Sequence, residues 1–161
     1  MKKAFTLIEL LFVIVIIGVL ATFALPKFKN LATHAKSSGI KSLITSVQSS
    51  IDNIHGKWII NDNYVWDPDG DGTSNINANG YPDALDGGKD ETKLFKYVLK
   101  IPVPSCGSKT QGCWKEYDDN RYEYFYTPTK ILKIDYNSTT GTMECIDGEG
   151  VTQEECEKTI Y

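Results

Sequence analysis

Residues 5–25 read FTLIELLFVIVIIGVLATFAL, and this apolar stretch indicates the structure of the N-terminal part of the chain. Polar side chains interrupt the apolar run at only three positions, Thr6, Glu9 and Thr22. As a helix the stretch would be about 30 Å long, which matches the hydrocarbon core of a bilayer. The length therefore permits a membrane anchor or, because Lys2 and Lys3 precede it, a secretory signal peptide.

The carboxylate of Glu9 points to a third interpretation. An acidic side chain inside a bilayer is costly and is by default a functional candidate. The apolar run supplies no cation to pair with it. Cleavage just before Phe5 would create an α-amine nearby, and in a bundle of such helices the amine of one copy would pair with Glu9 of its neighbour. Because an unpaired buried charge is strongly penalised, this pair would set the axial register.

Residues 4–10, AFTLIEL, resemble the recognition motif of prepilin peptidase, which is found in type IV pilins and type II secretion pseudopilins. The resemblance implies cleavage between Ala4 and Phe5, N-methylation of Phe5, and a role for Glu9 as the assembly carboxylate. The family usually has Gly before the cut, and Ala4 is a small residue that is compatible with cleavage. Prepilin peptidase, an inner-membrane assembly machinery and a filament of like subunits are the implied partners.

The resemblance also implies a domain organisation. Residues 1–4 would be the leader, 5–29 the transmembrane and filament-core helix, and 30–161 a globular head in the periplasm or outside the cell. The subunit would be stored in the bacterial inner membrane, with a single pass, before it enters a type IV pilus or a type II secretion pseudopilus. The sequence does not choose between these two filaments or between a major and a minor subunit.

Two other functions compete with that of a structural subunit. The first is a minor or tip pilin whose head binds a surface, a secreted substrate or DNA. The second is an uncleaved, membrane-anchored calcium-binding protein. Direct binding of nucleic acid is not expected, because the net charge is −4 and phosphate binding needs a basic surface. No enzyme is predicted either, since the sequence contains no nucleophile elbow, P-loop or dinucleotide motif.

The rest of the chain predicts an α+β fold. After Lys27 apolar residues recur at three- and four-residue steps, which indicates an amphipathic helix to about His55, with Gly56 as its stop. Residues 94–99 suggest a short helix. Strands are predicted at residues 121–126, 130–136 and 142–146. We therefore expect a long N-terminal helix, apolar and then amphipathic, packed on a small antiparallel sheet, which the resemblance also implies.

Residues 67–73, DPDGDGT, match the first half of an EF-hand calcium loop. Ala78 stands where the bidentate Glu of such a loop would be, so the last ligand must come from elsewhere. The expected calcium ligands are Asp67, Asp69, Asp71 and the carbonyl of Thr73, with Asp83 and Asp86 as candidates to complete the set. Magnesium fits less well because it keeps its waters. The alternative is a solvated Asp/Gly turn without an ion.

Four cysteines lie in the C-terminal third of the chain: Cys106, Cys113, Cys145 and Cys156. An even number after an export-like start predicts disulfide bonds and an oxidising compartment. Three pairings are possible. Pairing Cys106 with Cys113 and Cys145 with Cys156 closes the shortest loops, and the family resemblance also supports a C-terminal disulfide loop. The crossed pairings stay open at this point.

Overall fold

The computed structural model describes residues 6–61, 63–88 and 92–161. The chain divides into two compact units, Met1–Ser38 and Gly39–Tyr161, which we call the N-terminal unit and the C-terminal unit. Helix α1 spans Leu7–Ile60 and contributes to both. The architecture is the expected α+β class, with a long N-terminal helix followed by an antiparallel sheet.

Four strands form the main sheet of the C-terminal unit, and each pairs with its neighbour along the chain. They are β3 (Trp114–Asp118), β4 (Arg121–Thr127), β5 (Lys130–Asn137) and β6 (Thr142–Ile146). A smaller antiparallel pair precedes them, made of β1 (Lys93–Leu94) and β2 (Val103–Pro104). The three predicted strands correspond to β4, β5 and β6, whereas β3 was not predicted.

The core of the C-terminal unit lies between α1 and one face of this sheet. The buried helix residues are Ile40, Ile44, Val47 and Ile51, at steps of three and four. The sheet contributes side chains that alternate along the strands, including Tyr122 and Tyr124 from β4 and Ile134 from β5. The apolar face of the helix and the apolar face of the strands, each set by its own sequence periodicity, therefore pack together in one layer.

The predicted end of the helix at Gly56 is wrong, because α1 continues to Ile60. Contacts with a distant segment stabilise the last turn. The ring of His55 stacks on Tyr81 with centroids 4.0 Å apart, and Trp58 closely approaches Gly80. Gly80 has a φ of +82° and no room for a Cβ against Trp58. These contacts offset the roughly 1 kcal/mol that a helical glycine costs.

The predicted short helix at 94–99 is also wrong. Leu94 belongs to β1, and Phe95 adopts a left-handed φ of 57°, which a right-handed helix does not allow. A single turn follows, in which the N–H of Leu99 donates to the carbonyl of Phe95 at 2.9 Å. The carboxylate of Asp86 accepts the N–H of Phe95 at 3.0 Å, so a contact from nine residues earlier helps to hold this unusual backbone.

A second helix, α2 (Gln153–Ile160), follows β6 and was not predicted. Thr152 begins it with a capping box, in which its side chain accepts the N–H of Glu155 and Glu155 accepts the N–H of Thr152. Cys156 and Ile160 form its buried side. Polar and charged residues fill the other six of its eight positions, so only two residues mark its buried side in the sequence.

Strand β6 lies at one edge of the sheet, and side chains bond to its outer backbone at Met143. The N–H of Met143 donates to Oε1 of Gln48 at 3.2 Å, and its carbonyl accepts the hydroxyl of Tyr161 at 2.7 Å. Gln48 also donates to the carbonyl of Gly141 at 2.8 Å. The amphipathic part of α1 is thus joined to the β5–β6 hairpin by polar bonds as well as by the core.

Candidate functional site

The apolar segment of the N-terminal unit is exposed along its whole length. From Leu7 to Ala24 the mean hydropathy is 2.8, and none of this 18-residue span is buried within the chain. By length and composition the helix is able to cross a membrane, although a signal sequence near an N-terminus fits the same measure. A continuous apolar surface of this extent needs lipid or other apolar helices to cover it.

Glu9 forms a capping box with Thr6 at the start of α1. Oε2 of Glu9 accepts the backbone N–H of Thr6 at 2.9 Å and its hydroxyl at 2.8 Å. In return the hydroxyl oxygen of Thr6 accepts the N–H of Glu9 at 3.3 Å. Both bonds to the carboxylate end on Oε2, so Oε1 takes no part in the capping box. The arrangement stabilises the first turn of the helix and fixes the direction of the acidic side chain.

Ala4 and Phe5, the residues on either side of the expected cleavage, lie outside the described residues. The expected pairing of the Phe5 amine with Glu9 of another subunit therefore stays a prediction.

Asp67, Asp69 and Asp71 of the acidic loop come together in the C-terminal unit. One carboxylate oxygen from each lies within 4.8 Å of the others. Asp67 organises the turn, because its Oδ1 accepts the N–H of Gly70 at 2.7 Å and its Oδ2 accepts that of Gly72 at 2.9 Å. The bond from Gly72 is the main cause of a lowered pKa for the Asp67 carboxyl. The loop thus gathers three carboxylates that could hold a metal ion.

Thr73, the fourth expected ligand, lies beside this group. Its N–H and its hydroxyl both donate to Oδ1 of Asp71, at 2.7 and 2.6 Å. On the other side of the loop, the amide of Asn75 donates to Oδ2 of Asp69 at 3.2 Å. The three carboxylates are therefore held in place by donors from the loop itself, and Asp69 and Asp71 are exposed residues.

Asp83 and Asp86, the candidates for the last calcium ligand, do not belong to this group of three. They line an adjacent cavity of about 390 Å³, to which Asp69 also contributes. Asp86 is almost completely buried, and its Oδ2 accepts the hydroxyl of Tyr122 at 3.2 Å as well as the N–H of Phe95. The acidic residues that the sequence predicts as ligands therefore lie in two adjoining groups, and their binding of calcium stays a prediction.

Glu116 on β3 is the residue of this region that the sequence interpretation missed. Its side chain is buried in the same cavity, and its Oε1 accepts the N–H of Asn120 at 3.0 Å. Burial, together with the charge of the nearby Asp86, raises the pKa of Glu116 to about 8. The alternation of β3 turns Trp114 and Glu116 to the same buried side. A carboxylate at an inward strand position was the signal that could have revealed it.

Both disulfides join cysteines that are close in the chain. Cys106 bonds to Cys113 and Cys145 bonds to Cys156, which confirms the expected disulfides and selects the local pairing among the three possibilities. The first closes the turn that leads into β3, and the second ties β6 to α2. Disulfides of this kind are typical of proteins that fold in an oxidising compartment.

Comparisons with known proteins agree with the N-terminal motif. Residues 1–25 match the prokaryotic N-terminal methylation motif. A type IV major pilin of Neisseria gonorrhoeae is 40% identical over 65 residues, which is 36% of this chain and 37% of that protein. The major component of the type IV narrow pilus of Thermus thermophilus is 39% identical over 75 residues, which is 45% of this chain and 65% of that protein.

These matches cover only part of either partner, and the chain spans about a third of the gonococcal pilin's length. No solved structure matches the chain. The apolar helix and the pilin relatives together indicate a location in a membrane or a pilus. The N-terminal segment of this chain thus matches a methylation motif, and the relatives named above, with which it shares sequence, are type IV pilins.

Proposed function

We propose that this chain is a structural subunit of a type IV pilus, assembled from the bacterial inner membrane by packing of its N-terminal helix. The observation that carries the proposal is the apolar segment from Leu7 to Ala24, which the chain itself leaves uncovered. Lipid would cover it while the subunit is stored, and neighbouring helices would cover it in the filament. Transfer between two apolar environments costs little, which suits a segment that has to leave the membrane.

Glu9 would set the register of the assembled helices. After cleavage before Phe5, the new amine of one subunit would bind the carboxylate of a neighbour. The capping box already supplies two hydrogen bonds to Oε2 and lowers the cost of burying the charge, while Oε1 is left for the amine. A misplaced neighbour would leave a charge unpaired in an apolar core, which is strongly unfavourable.

The two relatives bear on the kind of filament. Both are major subunits of type IV pili by name. This favours a type IV pilus over a type II secretion pseudopilus, and a major subunit over a minor or tip subunit that binds a surface. The C-terminal unit, stabilised by two disulfides, would then be displayed along the outside of the filament.

Mass spectrometry of the mature N-terminus, combined with electron microscopy of sheared filaments, tests this function. The expected result is a chain that begins with N-methylated Phe5 and is abundant along filaments. An uncleaved N-terminus that starts at Met1, or a subunit confined to filament ends, would contradict the proposal. The first outcome would support a permanent membrane anchor, and the second would support a tip subunit.

We also propose that calcium binds the acidic loop through Asp67, Asp69, Asp71 and the carbonyl of Thr73. The support is the close approach of the three carboxylates in a turn whose two glycines have positive φ angles, as a tight ion loop requires. Calcium titration of the full chain in detergent, followed by calorimetry, tests the site. D67N should weaken binding at the loop at least tenfold, and a D67N chain that binds calcium like the wild type would exclude the loop.

A further inference from the structure

The cavity beside the acidic loop has an unusual lining. Its acidic side chains are Asp69, Asp83, Asp86, Glu116 and Asp119, and the described lining residues include no Lys, Arg or His. Asn75 and Asn120 add amide oxygens. All of these donors are hard oxygens, and neither sulfur nor imidazole takes part. This composition is typical of sites for calcium and other hard divalent cations.

An acidic lining alone would be an ordinary solvated surface, but this cavity contains a buried carboxylate oxygen without a partner. Glu116 is only 1% exposed. Its Oε2 is enclosed and accepts no hydrogen bond within the described part of the chain. Leaving a buried carboxyl oxygen unsatisfied is costly, so native proteins rarely do so without a shared proton, a ligand or an ion.

Two more enclosed oxygens in the same cavity lack partners among the described residues. They are the side-chain oxygens of Asn75 and Asn120. The amide nitrogens of both residues are used, since Asn75 donates to Asp69 and Asn120 donates to the carbonyl of Asp83 at 2.9 Å. These bonds fix which end of each amide is the oxygen. Three residues, each with an enclosed oxygen that has no partner among the described residues, therefore line one cavity, which the buried Asp86 also lines.

Neighbouring groups hold these donors in fixed positions. The N–H of Asn120 donates to Oε1 of Glu116, and its carbonyl accepts the N–H of Tyr136 at 2.8 Å. Asp86 is bonded to Tyr122 and Phe95. A cation would find oxygens that are already ordered, so binding would cost little conformational entropy.

We propose that this cavity is a second divalent-cation site, filled best by Ca²⁺, in which Glu116, Asp86, Asn75 and Asn120 form the inner ligands. Asp69, Asp83 and Asp119 line the same cavity and add negative charge that attracts a cation. The bound ion connects the segment around residues 83–88 to the turn between β3 and β4. This site adjoins the calcium loop of the proposed function and shares Asp69 with it, but its four inner ligands are not among the loop ligands, so the two proposals are tested separately.

One simpler explanation makes a different prediction. Glu116 and Asp86 could share a proton, so that a protonated Glu116 donates to Asp86 and no ion is needed. E116Q distinguishes the two, because glutamine keeps the shape and supplies a permanent donor but removes the charge. Under the shared-proton explanation E116Q binds calcium like the wild type.

The test is a calcium titration of three full-length chains in detergent: wild type, E116Q and D67N. Calorimetry gives the number of ions and their affinities, and thermal melting with and without calcium gives the stabilisation. We expect the wild type to bind more than one ion. E116Q should lose the cavity ion, with at least a tenfold weaker affinity and a smaller calcium-induced rise in melting temperature, while D67N keeps that ion.

Other results overturn the proposal. If E116Q binds the same number of ions as the wild type with the same affinity, the cavity is not a cation site, whatever happens at the loop. If D67N alone abolishes all binding, the loop proposal stands and the cavity proposal fails. If E116Q abolishes a site that D67N retains, the cavity proposal stands even if the loop binds nothing. A wild type that binds no calcium at millimolar concentration overturns both.

A folding control keeps the result interpretable. The circular dichroism of E116Q in a calcium chelator should match that of the wild type. If it does not, D119N provides the same test, because the Asp119 side chain is exposed at the cavity and its loss should not disturb the core. D119N should weaken cavity binding several-fold, and unchanged binding in D119N would then overturn the proposal. Magnesium should bind at least tenfold more weakly than calcium.

Discussion

The N-terminal segment and the C-terminal unit differ in the burial of their apolar side chains. From Leu7 to Ala24 no part of the helix is buried, whereas Val47 and Ile51 of the same helix are completely buried in the core of the C-terminal unit. One helix therefore has a part that needs other molecules and a part that the chain covers itself. Substitutions in the exposed part should therefore affect the proposed filament assembly, whereas substitutions in the buried part should affect the stability of the C-terminal unit.

The largest expected effect is on assembly. Glu9→Leu should reduce filament yield by more than about tenfold, because the amine of a neighbouring subunit would be buried without a partner. The melting temperature of the C-terminal unit should not change. Electron microscopy of sheared filaments and tryptophan fluorescence measure the two effects. All three tryptophans lie in the C-terminal unit, so fluorescence reports on that unit alone.

Two control variants sharpen this experiment. Thr22→Val removes a hydroxyl from the same segment, where it bonds to the carbonyl of Val19, and should leave assembly nearly normal. Thr6→Ala removes half of the capping box but keeps the Glu9 charge, so it separates loss of the cap from loss of the carboxylate. Wild-type filament yield from Glu9→Leu would refute the register role of this residue.

The second prediction compares two isoleucines of α1. Ile51→Ala should destabilise the C-terminal unit by about 2–5 kcal/mol, because it opens a cavity in the core. Ile14→Ala removes the same atoms from a side chain that is 56% exposed and should leave that stability unchanged. Chemical unfolding of both chains in detergent, followed by tryptophan fluorescence, measures the difference. Equal destabilisation by the two substitutions would contradict the separation of folding from assembly.

The third prediction concerns the disulfide between β6 and α2. Replacing Cys145 and Cys156 together by Ser should cost about 2–4 kcal/mol, because the unfolded chain regains the freedom of a closed loop. The disulfide between Cys106 and Cys113 closes a shorter loop. The matched double substitution there should therefore cost somewhat less stability. Unfolding curves measured with and without a reducing agent check both values. A larger loss from the second pair would reverse the expected order.

The smallest effect is expected at the start of α2. Thr152→Ala removes the side-chain acceptor of the capping box and should destabilise the C-terminal unit by about 1 kcal/mol. Thr152→Ser keeps the acceptor and should be nearly neutral. Thermal melting followed by circular dichroism is sensitive enough to measure the shift. If the alanine chain melts like the serine chain, α2 does not depend on this cap.

Sequence patterns within single helices and strands predicted the long helix and three of the strands. The long apolar run, the amphipathic steps after Lys27 and three alternating strands were all visible in the chain. The predictions failed where distant contacts decide the outcome. α1 continues past Gly56 because His55 and Trp58 contact residues 80 and 81, and Phe95 is held in a left-handed conformation that no local preference suggests.

The candidate cation sites show the same limit. The acidic loop was predictable because its carboxylates alternate within seven residues, and the structure brings three of them together. The cavity was not, because Asn75, Asp86 and Glu116 are far apart in the sequence and meet only through the fold. The inward strand position of Glu116 was a usable sign, but it needed β3 to be recognised first.

The bonds at Met143 have a consequence for the C-terminal units in the proposed filament. An edge strand with free N–H and carbonyl groups can add a strand from another molecule, and high local concentration increases that risk. At Met143 both outward groups are occupied, by Gln48 and by Tyr161. The sheet is therefore closed at this residue against backbone pairing, which in the proposed filament would hinder neighbouring C-terminal units from joining their sheets there.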